Sequence, residues 1–108
     1  MKTLLLTLIL TLLVMKLNAQ DTLYTKVLIT NKITNDEAIT ISQYFNRDGV
    51  IVSRMDPTTN EFLCIFTTKS MISEEFIDDW FSVNYNIKCL FSENYRPGKI
   101  INLKQVCH

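Results

Sequence analysis

Between Leu23 and Phe91 the apolar residues switch from a spacing of two to a helical spacing and back, and then do so a second time. That switching constrains the fold more than any single motif, because each spacing buries its apolar side chains against a different kind of neighbour. "TLYTKVLIT" (22–30) alternates, with Leu23, Thr25, Val27 and Ile29 on one side and Tyr24, Lys26 and Leu28 on the other, and reads as a strand. "TNDEAITISQYFNRDG" (34–49) places Ala38, Ile41 and Phe45 on one helical face, with Ile39 and Tyr44 alongside. Thr34 and Glu37 have the spacing of a capping box, and Asn46 to Gly49 supplies the stop. "VIVSRM" (50–55) and "EFLCIFTT" (61–68) flank Asp56-Pro57-Thr58-Thr59-Asn60 and predict a hairpin. "SEEFIDDWFSVNYN" (73–86) predicts a second helix, with Glu74 and Glu75 in its first turn, Phe76, Ile77, Trp80 and Phe81 as its apolar face, and Asn84 as a left-handed terminator. "YNIKCLF" (85–91) completes the pattern as a fourth strand.

Strand–helix–strand–strand–helix–strand is the split βαβ, or ferredoxin-like, arrangement, an α+β sandwich. Right-handed crossovers give an antiparallel four-stranded sheet of order 4-1-3-2 with both helices on one face. The alternation then points Phe62, Cys64 and Phe66, and likewise Tyr85, Ile87 and Cys89, toward the helices. It leaves Leu28, Ile51, Ser53, Leu63, Ile65 and Leu90 on the other face. That face is too apolar to meet water bare, so it is expected to be covered by a protein partner, a second copy of the chain or the chain's own tail. The segment 93–108 has a Pro97-Gly98 turn and then the strand-like "KIINLKQV". It is expected to add a strand beside the fourth, the alternative being a mobile tail.

Residues 1–19 read as a targeting segment. A positive start at Lys2, the apolar run Leu4–Met15 and a polar exit ending in Ala19 form the three-part pattern of a secretory signal peptide. The apolar run is shorter than the roughly 20 residues that span a bilayer. Cleavage near Ala19 would leave one domain, 20–92, followed by the tail, in the periplasm or outside the cell; an uncleaved anchor is the alternative. Losing Lys2 and Lys16 takes the basic count from 11 to 9 against 11 acidic side chains. With no basic stripe, neither nucleic acid nor an anionic membrane is an expected partner.

Gly49-Val50, Val52, Met55 and Asp56, the alternating "FLCIF", then "SEEFIDDW" and Asn84-Tyr85 form one register from Gly49 to Ile87 without a gap. In these residues the second half of the chain resembles the heavy-metal-associated domain, the fold of small copper chaperones and of the N-terminal modules of metal-pumping ATPases. Asn84-Tyr85 stands where that family usually has Gly-Tyr. The resemblance implies a soft-metal site of the form Met-x-Cys-x-x-Cys in the first strand-to-helix turn. Alignment of the first strand and helix puts Lys32 at the Met and Thr34 and Glu37 at the two Cys positions. A hydroxyl and one hard carboxylate do not hold Cu(I), so the family's metal site does not carry over and no cofactor is expected.

Three cysteines in an oxidising compartment allow one internal disulfide. Cys64 and Cys89, both expected to face the helices from strands on either side of the first, would stand roughly 9–10 Å apart, beyond the roughly 7 Å a disulfide spans. Cys107 could bond Cys89, or bond another molecule. Cys107 and His108, with Cys89, form the remaining candidate set for copper or zinc. No catalysis is expected: the lone histidine is the last residue, with nothing to position its ring beside a nucleophile. Trp80 is expected in the core, and Tyr95 is a further candidate for a contact surface. The expected function is therefore a non-catalytic binding or interaction module, with soft-metal handling through Cys107 and His108 as the rival.

Overall fold

A computed structural model describes residues 22–107 of the chain. Residues 1–21, which include the expected targeting segment, and His108 lie outside the described residues. Strand β1 (Thr22–Ile29) leads to helix α1 (Asn35–Tyr44), strands β2 (Val50–Asp56) and β3 (Glu61–Thr67), helix α2 (Glu74–Asn84), strand β4 (Ile87–Asn94) and a single-turn helix α3 (Leu103–Val106). The strands form one sheet in the order β2-β3-β1-β4, with every pairing antiparallel. Read from the other edge, that is the order 4-1-3-2. The arrangement is α+β and consistent with a ferredoxin-like fold.

Each long helix begins on a hydroxyl. The Thr34 Oγ1 accepts from the Glu37 backbone N–H at 3.1 Å, and the Ser73 Oγ accepts from that of Phe76 at 3.1 Å. Each bond satisfies a donor that the first turn leaves without a helical partner. Gly49 re-enters the sheet at φ +86°, where a Cβ would stand 2.6 Å from the Ser70 Cβ. Asn60 takes the one positive φ found at a non-glycine among the described residues, at the hairpin turn. The expected left-handed terminator at Asn84 is not used. The chain runs straight into extended backbone at Tyr85, and the Asn84 Nδ2 instead donates to the Trp80 carbonyl at 2.8 Å.

Both helices cover one face. Val27 and Ile29 of β1 and Phe62, Cys64 and Phe66 of β3 meet Ala38 and Ile41 of α1, the adjoining Phe45, and Ile77 and Phe81 of α2 in one buried cluster. Its centre is aromatic: the Phe45 ring lies 4.9 Å from Phe62 and 5.7 Å from Phe81, and Phe62 lies 5.0 Å from Phe81. Each ring removed from water contributes about 1.5–3 kcal/mol.

The two edge strands depart from simple alternation. Ile29 pairs with Ile87 while Leu28 pairs with Cys89, so Lys88 is an extra residue in β4. Val50 pairs with Phe66 while Val52 pairs with Ile65, so Ile51 is an extra residue in β2, and it is 62% exposed. Each bulge reverses the facing of part of its strand. Leu90, expected on the open face, therefore pairs with Val27 and packs against the helix-side core. Ser53, also expected on the open face, donates from its Oγ to the Ser42 carbonyl of α1 at 2.8 Å. Cys89, expected among the helices, faces the other way beside Leu28.

The tail covers that other face and adds no strand. After the Pro97-Gly98 turn, the Ile101 carbonyl accepts from the Lys26 Nζ at 2.9 Å, and the Ile101 N–H donates to the Tyr24 hydroxyl oxygen at 3.3 Å. Leu103 is fully buried, as are Tyr24 and, nearly so, Leu28 and Ile65 from this side of the sheet. The Cys89–Cys107 disulfide closes the strap, with Cα atoms 5.9 Å apart. A bare strand edge can be hydrated, whereas a bare apolar face loses the hydrophobic contribution outright. The face wins the tail.

Candidate functional site

The first strand-to-helix turn, where the family resemblance would put a metal clamp, is filled by the protein's own hydrogen bonds. Besides capping α1, the Thr34 hydroxyl donates to the Glu37 Oε1 at 3.4 Å, so the Glu37 carboxylate turns to the side chain and not back to the Thr34 N–H. The Glu37 Oε2 accepts from the Tyr85 hydroxyl at 3.3 Å. The Asn31 Oδ1 accepts from the Asn86 N–H at 2.7 Å, and the Thr30 N–H donates to the Asn86 carbonyl at 3.0 Å. These bonds tie the turn before α1 to the turn after α2. Lys32 is exposed. Among the described residues no group of three or more His, Cys, Asp or Glu side chains is placed to hold a metal ion.

The cysteines separate into two chemistries. Cys64 is buried at the helix-side core, and burial pushes its thiol up to about 12. A thiol so rarely ionised is a poor nucleophile and a poor metal ligand. Cys89 and Cys107 are joined to each other, the intramolecular one of the two possibilities the sequence leaves for Cys107. Bonded, neither presents a thiolate, so the candidate set Cys107, His108 and Cys89 has lost both its sulfur ligands as the structure stands.

A cleft of about 290 Å³ lies between the helices, immediately beside the tied turns. Asp36, Glu37, Thr40 and Tyr44 line it from α1, Trp80 from α2 and Tyr85 from the turn that follows. The Tyr44 and Trp80 rings stack 5.2 Å apart with planes inclined by 26°, and Trp80 lies 5.9 Å from Tyr85. The walls are aromatic and one lip is acidic. Burial, together with the charge and hydrogen bond of Glu37, pushes the Tyr85 phenol above its ordinary value, so the hydroxyl stays protonated and keeps donating to that carboxylate. Trp80, expected in the core, is half-buried: it packs on the core from its rim and lines this cleft.

Thr34 and Glu37 thus stand beside each other as expected, with Glu37 on the cleft. The role of Tyr44 was hidden in the sequence. Its spacing marks it as a flank of the α1 apolar face, but only the crossing of α2 brings Trp80 over its ring. Among the described residues no helix is long and apolar enough to cross a membrane. No protein-family model matches the chain, and neither a curated protein nor a solved structure does.

Proposed function

We propose that this chain is an exported, non-catalytic binding module of ferredoxin-like architecture, resembling a heavy-metal-associated domain whose metal clamp has become a helix cap, and that it binds through the cleft between its two long helices. The observation that carries this reading is the cleft itself, an exposed aromatic pocket with a carboxylate lip on a domain whose other sheet face is occupied by its own tail. Export is supported by the signal-like pattern of residues 1–19 and by the Cys89–Cys107 bond, which suits an oxidising compartment. A partner or second copy on the tail-covered face would first have to displace Leu103 and the bonds to Ile101.

A photo-crosslinking side chain at Thr40, inside the cleft, tests the reading in the cells that make the protein. The expected result is a discrete adduct from Thr40 and none from Val83, which is exposed on α2 outside the cleft. Equal labelling from both positions would defeat it. The rival, copper or zinc handling by Cys107 and His108, with or without Cys89, is tested in parallel. The oxidised and the reduced chain are each titrated with Cu(I) against a competing chelator. Tight one-to-one uptake that vanishes in Cys107→Ser establishes the rival, and no uptake by either form removes it.

A further inference from the structure

We propose that the cleft between α1 and α2 receives a guanidinium group, the arginine side chain of a basic peptide. This rests on the reading of the chain as a binding module and names the ligand of that same cleft.

The cleft combines the two features that select such a group. Its walls are the rings of Tyr44, Trp80 and Tyr85, whose faces carry the negative end of a quadrupole and attract cations. Its lip carries the carboxylates of Asp36 and Glu37, and no lysine or arginine lines it. Glu37 is held by the Tyr85 and Thr34 hydroxyls. The Asp36 carboxylate makes no hydrogen bond or ion pair among the described residues, which leaves it available to an incoming donor.

The protein already shows that the Tyr44 ring takes a guanidinium. Arg47, just beyond α1, holds its guanidinium carbon 4.8 Å from the Tyr44 centroid and donates from its Nε to the Tyr44 carbonyl at 3.2 Å. Arg47, which also lies 5.5 Å from the Phe76 centroid, does not line the cleft, and the incoming cation would meet the carboxylate side of the aromatic cluster. A quaternary ammonium would satisfy the rings but brings no N–H for Asp36. A guanidinium brings both a flat face for stacking and a fork of donors, and does so better than the compact lysine ammonium. At about 290 Å³ the space suits one such side chain, with the rest of its peptide lying outside.

Trp80 is the only tryptophan in the chain, so its fluorescence reports on the cleft directly. The oxidised mature chain is titrated with the capped tripeptides Gly-Arg-Gly, Gly-Lys-Gly and Gly-Glu-Gly and with tetramethylammonium chloride. The expected result is a saturable change with the arginine peptide, weaker binding of the lysine peptide and none of the glutamate peptide. Binding should weaken as salt rises. Asp36→Asn and Tyr44→Leu, each checked for folding by circular dichroism, should weaken arginine binding by at least about threefold. Ile51→Ser, on the far edge strand, should leave it unchanged. Absence of saturation, arginine binding indifferent to Asp36→Asn, or equal binding of tetramethylammonium would each overturn the proposal. If arginine fails while Thr40 still forms its specific adduct, the ligand class falls and the binding module stands. If the Thr40 adduct is missing as well, both fall.

Discussion

The two faces of the sheet are closed in opposite ways. On one, two helices bring Ala38, Ile41, Phe45, Ile77 and Phe81 onto β1 and β3, and the cover is held by many interlocking apolar contacts. On the other, one short stretch of chain does the work of a layer. It is held by the Cys89–Cys107 bond, two hydrogen bonds at Ile101 and one buried side chain, Leu103. A packed layer shares its stability with the rest of the core, so losing it unfolds the domain. A strap can be released at one bond, leaving Tyr24, Leu28 and Ile65 without their cover while the helix side stays folded.

The contrast can be broken most severely from the helix side. Phe45→Ala or Phe81→Ala removes a ring that touches both helices' packing, and should cost about 3–5 kcal/mol in a denaturant titration. In a domain this small that is most of the stability, and near-UV circular dichroism should collapse across the whole aromatic region. Breaking the strap should cost less and act locally. Cys107→Ser, or reduction of the parent chain, opens a loop of sequence separation 18 and should lower stability by about 3 kcal/mol. Hydrogen exchange should rise at Ile101 and in β1 while the amides of α1 and α2 keep their protection.

Smaller changes act on one face at a time. Tyr24→Phe removes the hydroxyl that accepts from the Ile101 N–H and donates to the Glu93 carboxylate, at a cost of about 1 kcal/mol. Its effect on exchange should be confined to the tail side. On the helix side the matching probe is chemical. Burial holds the Cys64 pKa at about 12 against an ordinary 9.0. A raised value means that the folded state keeps its proton longer than the unfolded one. The contribution is therefore complete below about 9 and is lost as pH rises from there through about 12. Cys64 should accordingly resist alkylation at neutral pH until the chain is denatured. Tyr24 and Tyr85, both shifted upward chiefly by burial, carry the same sign and add to the loss of stability at alkaline pH.

The two faces also differ in how legible they were. The central strands β1 and β3 keep strict alternation, and the facing of Val27, Ile29, Phe62, Cys64 and Phe66 follows from spacing alone. The edge strands do not. One extra residue in each, Ile51 and Lys88, reverses the facing of Ser53, Cys89 and Leu90, and neither residue announces a bulge by its type. Edge strands tolerate such insertions because only one side must stay in register with a neighbour. The β4 bulge also decides the cysteine chemistry, since it turns Cys89 out of the core and toward Cys107. That the open face needed a cover was readable from Leu63 and Ile65. That the tail would cross it, and not extend the sheet, depended on the facing of Cys89. The capped turn at Thr34 and Glu37 was legible because capping is local. The cleft was not, because it needs the crossing of two helices to set Tyr44 against Trp80.

Peptide mapping of the purified protein, alkylated before digestion and never reduced, tests the strapped sheet. The expected result is one linked fragment joining Cys89 to Cys107 within a single molecule, and a Cys64 that is labelled only after unfolding. Recovery of Cys107 as a free thiol, bound to Cys64 or joined to a second chain would contradict it.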